Sequence, residues 1–288
     1  MKKIMFLLVA VIVCMVTACS KDEAVVNNDE NLITELKLYI EGSDTRANYE
    51  YLPGVGFKFK WEEGEYVYVY PAETGNSTVT TFRYKPETET FVLYDGSALV
   101  AGDKYYAVTG QTQESGFFND GKICAAMELN GNGLLGSIPM VSDIFTATAE
   151  GTFATFHHMV GIVEIPVKGN IGVYDINLKI DGSTDAMLYG TFTVEFDGDG
   201  KASTITKTAG TGKTSMQSTV KYGSSSPLVL SETVQSLFYP ALPGEYNKVV
   251  IDYAKVGIGA GWTTSELGTL RVQRGKINKK SIPVNISE

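Results

Sequence analysis

The sequence predicts an all-β protein made of two tandem antiparallel β-sandwich domains. Apolar and polar residues alternate with a period of two in many short segments, as expected of strands with one buried face. Pairs such as Asp95-Gly96 separate these segments and are typical of turns between strands. No segment carries helical periodicity over three turns, and 288 residues with 43% hydrophobic content can bury two cores.

Changes in composition divide the chain into four predicted segments. Residues 1–18 form a signal peptide, and residues 19–31 form a lipidated tether. Residues 32–168 form an N-terminal β-sandwich domain, and residues 169–288 form a C-terminal one. The boundary is placed at Lys168-Gly169-Asn170, where a long apolar and β-branched stretch ends.

The amino terminus has the form of an export signal. Lys2 and Lys3 precede an apolar run over residues 4–16, which is too short to cross a bilayer comfortably. The run ends in Val16-Thr17-Ala18-Cys19, which resembles a bacterial lipobox, and Cys19 is therefore the predicted lipidation site. The alternative is an ordinary signal peptide with a chance cysteine.

The segment after the tether is predicted to be a half-buried strand. Leu36, Leu38 and Ile40 lie on one parity of this segment, and polar residues occupy most of the other parity. A strand of this kind buries one row of side chains and exposes the next.

A polar stretch follows this strand and is expected to be exposed to proteases. Within the stretch, Arg46 precedes the small residue Ala47. This pair suits cleavage by a trypsin-like protease.

Further strands are predicted wherever the same alternation recurs between turn residues. In the N-terminal half the segments are 57–61, 66–70, 78–84, 90–94, 104–109, 123–129 and 152–167. In the C-terminal half they are 173–180, 188–196, 201–208, 234–239, 246–253, 269–273 and 276–286. Because no fixed repeat accompanies these short strands, sandwiches are favoured over solenoids or propellers.

The charge balance excludes one broad class of function. Lys and Arg total 24, and Asp and Glu total 33, which gives a net charge of −9 and a pI of about 4.9. A protein built mainly to bind nucleic acid needs clustered positive charge, so no nucleic-acid partner is expected.

The sequence offers no set of residues suited to catalysis, metal binding or a cofactor. The only histidines, His157 and His158, are neighbours on a predicted strand and point to opposite faces, which does not suit chelation of one ion. Cys124 lies in an apolar setting, where a buried thiol is favoured over a nucleophile. We therefore expect no enzymatic activity, no catalytic residue, no metal and no cofactor.

The aromatic residues leave two interpretations open. Tyr66, Tyr68 and Tyr70 share one parity of a strand, and Trp61 and Trp262 are the only tryptophans. Such rings can stack on sugars, which suits a glycan-binding protein, or they can pack in a sandwich core.

Several short segments occur in a recognisable order along the chain. They are the lipobox ending at Cys19, then Asp44-Thr45-Arg46-Ala47, Trp61-Glu62-Glu63-Gly64-Glu65 with the strand after it, Ile138-Pro139-Met140 with Phe156-His157-His158-Met159, Tyr239-Pro240-Ala241-Leu242-Pro243-Gly244, and Arg274-Gly275-Lys276-Ile277. In this order they resemble the fimbrillin family, the type V pilin lipoproteins of Gram-negative anaerobes. The resemblance covers most of the mature chain.

That resemblance implies a transthyretin-like or Greek-key sandwich fold and assembly by β-strand exchange. An outer-membrane lipoprotein precursor with palmitate on Cys19 would be cut after Arg46 by an arginine-specific protease. Until then the strand with Leu36, Leu38 and Ile40 would fill a groove. A strand from another subunit would later take its place.

The carboxyl end contains a candidate donor strand. Ile282, Val284 and Ile286 alternate there, and a donated strand needs such alternation because its backbone pairs while every second side chain fills a pocket. Pro283 removes one N–H group and is tolerated only on an edge strand. The alternative is that both terminal strands stay in their own domains.

The predicted function is that of a structural pilus, or fimbrial, subunit at the cell surface that contributes to cell adhesion. The expected partners are other pilus subunits in a homo- or hetero-polymer, the processing protease, the outer membrane through the lipid, and a host glycan or protein receptor. Two alternatives are a surface glycan-binding lipoprotein and a tip or accessory subunit that does not polymerise.

Overall fold

A computed structural model describes residues 31–40, 50–52, 56–58, 61–72, 78–109, 116–119, 122–129, 138–180, 187–208, 211, 214–217, 227–256 and 262–287. These residues form 25 strands and no α-helix, so the predicted all-β fold class is confirmed. Within these ranges, no helix long and apolar enough to cross a membrane is found. Cys19, Arg46 and Ala47 lie outside the described residues.

Most of the strands are short, as expected for a chain rich in turns. In chain order they are β1 (Leu32–Ile33), β2 (Glu35–Ile40), β3 (Glu50–Leu52), β4 (Gly56–Lys58), β5 (Tyr66–Pro71), β6 (Thr80–Lys85), β7 (Thr90–Asp95), β8 (Leu99–Val100), β9 (Lys104–Thr109), β10 (Gly116–Asn119), β11 (Lys122–Leu129), β12 (Met140–Ser142), β13 (Phe145–Thr146), β14 (Thr152–His158), β15 (Gly161–Gly169), β16 (Gly172–Ile180), β17 (Gly190–Phe196), β18 (Ala202–Lys207), β19 (Ser215–Gln217), β20 (Leu228–Val229), β21 (Gln235–Ala241), β22 (Gly244–Lys255), β23 (Trp262–Val272), β24 (Ile277–Lys279) and β25 (Val284–Ile286).

Seven strands of the N-terminal part form a closed ring. Around the ring they follow the order β12, β14, β2, β7, β6, β5 and β9, and β9 pairs back to β12. Neighbours in the ring are antiparallel, except that β14 and β2 run parallel. A closed sheet leaves none of its strands at an open edge.

The other strands form separate sheets. One sheet has the order β10-β11-β17-β18, and a second joins β21 to β15, which also pairs with β24 and β25. A third has the order β19-β16-β22-β23, with β20 also on β16, and two short pairs join β1 to β8 and β3 to β4.

The apolar run predicted as one strand over 152–167 is two strands in the structure. β14 ends at His158 and belongs to the ring, whereas β15 begins at Gly161 and pairs with β21. A β-carbon on Gly161 would overlap the carbonyl oxygen of Gln273, so glycine is required for this close approach of the C-terminal part. The predicted boundary at Lys168 falls within the end of β15.

Buried apolar residues form two cores. One core lies inside the ring and includes Val67 and Phe82. The other collects the buried residues of the C-terminal sheets and also includes Tyr70 and Tyr106 from the ring. The aromatic side chains of Tyr70 and Tyr106 stack with their centroids 5.5 Å apart, and the Tyr106 centroid lies 5.0 Å from that of Phe196 of β17. Aromatic packing therefore connects the ring with the C-terminal core.

A charged cluster also joins the ring to the hairpin of β17 and β18. Asp143 Oδ2 accepts a hydrogen bond from Lys201 Nζ at 2.7 Å, and Asp143 Oδ1 lies 2.9 Å from His157 Nε2. Burial alone would raise the pKa of Asp143, but the hydrogen bonds from Lys201 and His157 outweigh burial and lower the pKa below its ordinary value. His157 thus contacts the carboxylate that Lys201 binds from the other sheet.

Candidate functional site

The leading segment, residues 31–40, pairs with three different strands in turn. Its first residues pair with β8 through β1, and the Thr34 carbonyl accepts a hydrogen bond from the Leu93 N–H at 2.8 Å. Glu35–Leu36 then pair antiparallel with β7, and Leu36–Ile40 pair parallel with β14. We call the space that β2 fills between β7 and β14 the slot.

The inward face of β2 is apolar and buried. Leu36, Leu38 and Ile40 are 1%, 5% and 2% exposed, and the residues between them are exposed. All three side chains belong to the core inside the ring. Burial of one such side chain stabilises the fold by about 1.5–3 kcal/mol, so the three contribute about 5–9 kcal/mol before conformational entropy is counted.

Aromatic side chains pack beneath β2 in the same core. Trp61 is 3% exposed and packs edge-to-face on Phe91 of β7, with ring centroids 4.8 Å apart. Trp61 also contacts Phe156 of β14 at 6.0 Å, and Tyr84 of β6 lies 5.2 Å from Phe91. This cluster connects β7 with β14 independently of β2.

The turn before β5 positions Trp61. The Glu62 N–H donates to Glu65 Oε2 at 2.6 Å, and the Glu65 N–H donates to the Glu62 carbonyl at 3.1 Å. The Glu65 carbonyl accepts a hydrogen bond from the Tyr84 N–H at 2.9 Å, which attaches the turn to β6. The sequence left open that Trp61 packs in a core, but it did not indicate which strands the indole contacts.

Glu65 is expected to make stability depend on pH. The pKa of Glu65 is raised from 4.5 to about 7. Burial is the largest cause, the hydrogen bond from the Glu62 N–H lowers the pKa partly, and the Glu62 carboxylate raises it. Because the folded state holds this proton more tightly than the unfolded chain, the stabilisation is complete below pH 4.5 and is lost as the pH rises through 7. With solvent screening, we expect the wild-type chain to lose about 1–2 kcal/mol more than Glu65→Gln between these limits. Urea unfolding measures this difference, and equal losses in both chains would assign the pH dependence to other groups.

The structure places the three candidate donor residues in different environments. Ile286 is fully buried in the C-terminal core, and Val284 is partly buried against that core. Ile282 is 77% exposed and lies outside the strands. β25, which holds the first two, pairs parallel with β15 and not with the slot.

Two local features fit the C-terminal segment to β15. A β-carbon on Gly169 would overlap the carbonyl oxygen of Ile286, so this close approach requires glycine. Pro283 lies in the gap between β24 and β25, where its missing N–H interrupts neither ladder.

The structure separates the aromatic residues that suggested sugar binding. Trp61 and Tyr70 are buried in the two cores, whereas Tyr66 packs at 5.1 Å against Tyr94, which is exposed. Trp262 is 53% exposed at the start of β23. The two tryptophans therefore do not form one platform.

In the described part of the chain, acidic, histidine and cysteine side chains do not gather into a metal site. Among those residues, no group of three or more His, Cys, Asp or Glu side chains could hold a metal ion. The thiol of Cys124 is buried, as its apolar neighbours predicted.

Comparisons with known proteins give a likeness in structure. No protein-family model and no curated protein matches the sequence. A candidate cell adhesion protein from Bacteroides ovatus ATCC 8483 matches with a TM-score of 0.54 at 12% identity, over 89% of this chain and 92% of that one. A fimbrial protein from the same strain has a TM-score of 0.41 at 10% identity, over 89% and 51%. A candidate cell adhesion protein from Bacteroides fragilis NCTC 9343 has a TM-score of 0.45 at 12% identity, over 89% and 92%.

The likeness to the first of these structures establishes a shared fold. The fold of that structure, a candidate cell adhesion protein, is consistent with the resemblance of this sequence to the fimbrillin family.

Proposed function

We propose that this protein is a structural pilus subunit that is exported as a lipoprotein through Cys19, cut after Arg46 and assembled by strand exchange. The observation that carries the proposal is the position of β2 in the slot. β2 closes a ring, buries three aliphatic side chains and precedes the Arg46-Ala47 pair. A strand with these properties is suited to removal and replacement.

Removal of β2 would open the ring at one place and leave two exposed strand edges. β7 and β14 would each present a row of unpaired N–H and C=O groups, and the aromatic cluster around Trp61 would be uncovered. Open strand edges pair readily with another chain. Backbone hydrogen bonds then give affinity, and pockets for alternate side chains give specificity.

The same proposal covers organisation, location and partners. The two cores support two tandem β-sandwich domains, with β15 assigned to the second of them. The expected partners are other pilus subunits, an arginine-specific protease, the outer membrane through the lipid, and a host receptor. Adhesion at the cell surface would follow from display on a fimbrium.

One observation favours a tip or accessory subunit over a stalk subunit. Ile286 is buried on β15, so the candidate donor strand is engaged within its own chain. A stalk subunit would have to release this strand and offer it to a neighbour.

Proteolysis and peptide exchange test the proposed function. We expect an arginine-specific protease to cut the lipid-free chain after Arg46, after which an excess of a synthetic peptide of residues 32–40 displaces the cleaved N-terminal fragment. Mass spectrometry of the size-excluded fractions measures the release. Arg46→Lys is the matched control, because it keeps the charge but should neither be cut nor release the fragment. A cut chain that keeps its fragment and binds no strand peptide would show that strand exchange is wrong.

Trp262 allows a test of the glycan-binding alternative. Its indole ring is 53% exposed, as a sugar-stacking side chain needs to be. If glycan binding is the function, a glycan array should show saturable binding that Trp262→Ala abolishes and Trp262→Phe largely keeps. Equal binding by the wild-type and Trp262→Ala chains would exclude this ring from glycan recognition.

A further inference from the structure

One hydrogen-bond donor beneath β2 lacks an acceptor while β2 occupies the slot. Trp61 Nε1 is buried and has no hydrogen-bond acceptor among the described residues. Beside the indole lies a hollow of about 160 Å³, whose lining includes Leu38, Tyr84 and Thr88. A buried N–H without an acceptor costs free energy comparable to a lost hydrogen bond, and the hollow is large enough for additional side-chain atoms.

β2 is poorly suited to supply the missing acceptor. Its inward side chains are Leu36, Leu38 and Ile40, and none of them carries an oxygen or nitrogen atom. Leu38 borders the hollow together with Trp61. In the described part of the chain, β2 pairs with β7 only as far as Leu36, so its second half runs beside the turn before β7.

We propose that the strand that replaces β2 belongs to a different subunit and carries a hydroxyl or amide side chain at the position of Leu38. Its side-chain oxygen accepts a hydrogen bond from Trp61 Nε1. This inference rests on the proposed strand exchange and specifies the chemistry of the partner. The chain's own C-terminal strand does not fit, because Val284 and Ile286 are apolar and Ile286 is already buried on β15.

A comparison of threonine with valine at this position separates the effect of the hydrogen bond from the effect of side-chain shape, because the two side chains have nearly the same volume. In a core without a hydrogen-bond partner, the hydroxyl of threonine is disfavoured relative to the methyl group of valine. An acceptor that satisfies Trp61 Nε1 should reverse this order. Because Tyr84, Thr88 and Glu89 also line the hollow, the preference for threonine is assigned to the indole N–H only if it is lost on a chain without Trp61.

Competition between two peptides tests the inference. The probes are peptides of residues 32–40 with Leu38→Thr or Leu38→Val, which displace the N-terminal fragment from the chain cut after Arg46. We expect the threonine peptide to bind about 3-fold tighter or more, and the order to reverse on a Trp61→Phe chain, which lacks the N–H. A valine peptide that binds wild type as tightly as the threonine peptide overturns the inference and leaves strand exchange intact. Failure of all peptides to displace the fragment overturns strand exchange itself.

The indole N–H resonance gives a second readout that does not depend on Trp61→Phe folding. The sequence has two tryptophans, so Trp262→Phe assigns the Trp61 signal in a ¹⁵N spectrum. The threonine peptide should shift this signal downfield relative to the valine peptide, and identical shifts overturn the inference. A peptide of residues 281–288 should bind more weakly than the threonine peptide, and tighter binding would point to the chain's own C-terminus as the partner.

Discussion

Replacement of Leu36 by alanine is expected to lower the free energy of unfolding of the precursor by about 2–5 kcal/mol. Leu36 is 1% exposed and pairs on both sides, with Phe91 of β7 and with Thr152 of β14. The substitution removes packed methyl groups and leaves a cavity that the neighbouring aromatic rings cannot fill by collapse. Urea unfolding of the lipid-free chain measures the loss.

Lys37→Ala is the matched control for this prediction. Lys37 is the next residue of the same strand, but its side chain is exposed, so the change should stay within about 0.5 kcal/mol. After cleavage at Arg46, the Leu36→Ala fragment should also be displaced at a lower concentration of wild-type peptide. Equal stabilities of the two variants would mean that β2 does not occupy the slot in solution, and the proposed function would lose its basis.

The same substitution at two isoleucines of the C-terminal segment is expected to give different results. Ile286→Ala should lower the free energy of unfolding by about 2–4 kcal/mol, because Ile286 is fully buried on β15. Ile282→Ala should change it by less than about 0.5 kcal/mol, because Ile282 is 77% exposed. Thermal and urea unfolding of both chains provide the comparison.

Gly169→Ala tests the same contact from the other strand. The added β-carbon would overlap the carbonyl oxygen of Ile286, so β25 should separate from β15 and become a substrate for proteases. A chain that tolerates both Gly169→Ala and Ile286→Ala without loss would have its last strand free for donation. That outcome would favour a stalk subunit over a tip or accessory subunit.

Local patterns predicted the strands well where one face is buried and the other is exposed. β2 is an example, because Leu36, Leu38 and Ile40 are buried and the residues between them are exposed, as their alternation indicated. The pattern specifies which side chains turn inward. It does not specify which strands lie beside them.

The neighbours of β2 and the break between β14 and β15 were not predictable from the sequence. β2 pairs parallel with β14, which lies far along the chain, and no local signal encodes such a pairing. β14 and β15 form one continuous run of strand-forming residues, and the second strand begins at Gly161, where the distant Gln273 approaches closely. Core packing of Trp61 was one of the two interpretations from the sequence, but the partners of its ring were not predictable, because they lie on β7 and β14.

The pairing around β2 also has a mechanical consequence. Five residues of β2 pair with β14 and two pair with β7, so a pull along the strand axis loads these bonds together in shear. In a hairpin opened from its free end, by contrast, the bonds break one after another. A strand in the slot should therefore resist a pull along its axis far better than a pull across it. Force spectroscopy in the two directions would measure the two rupture forces.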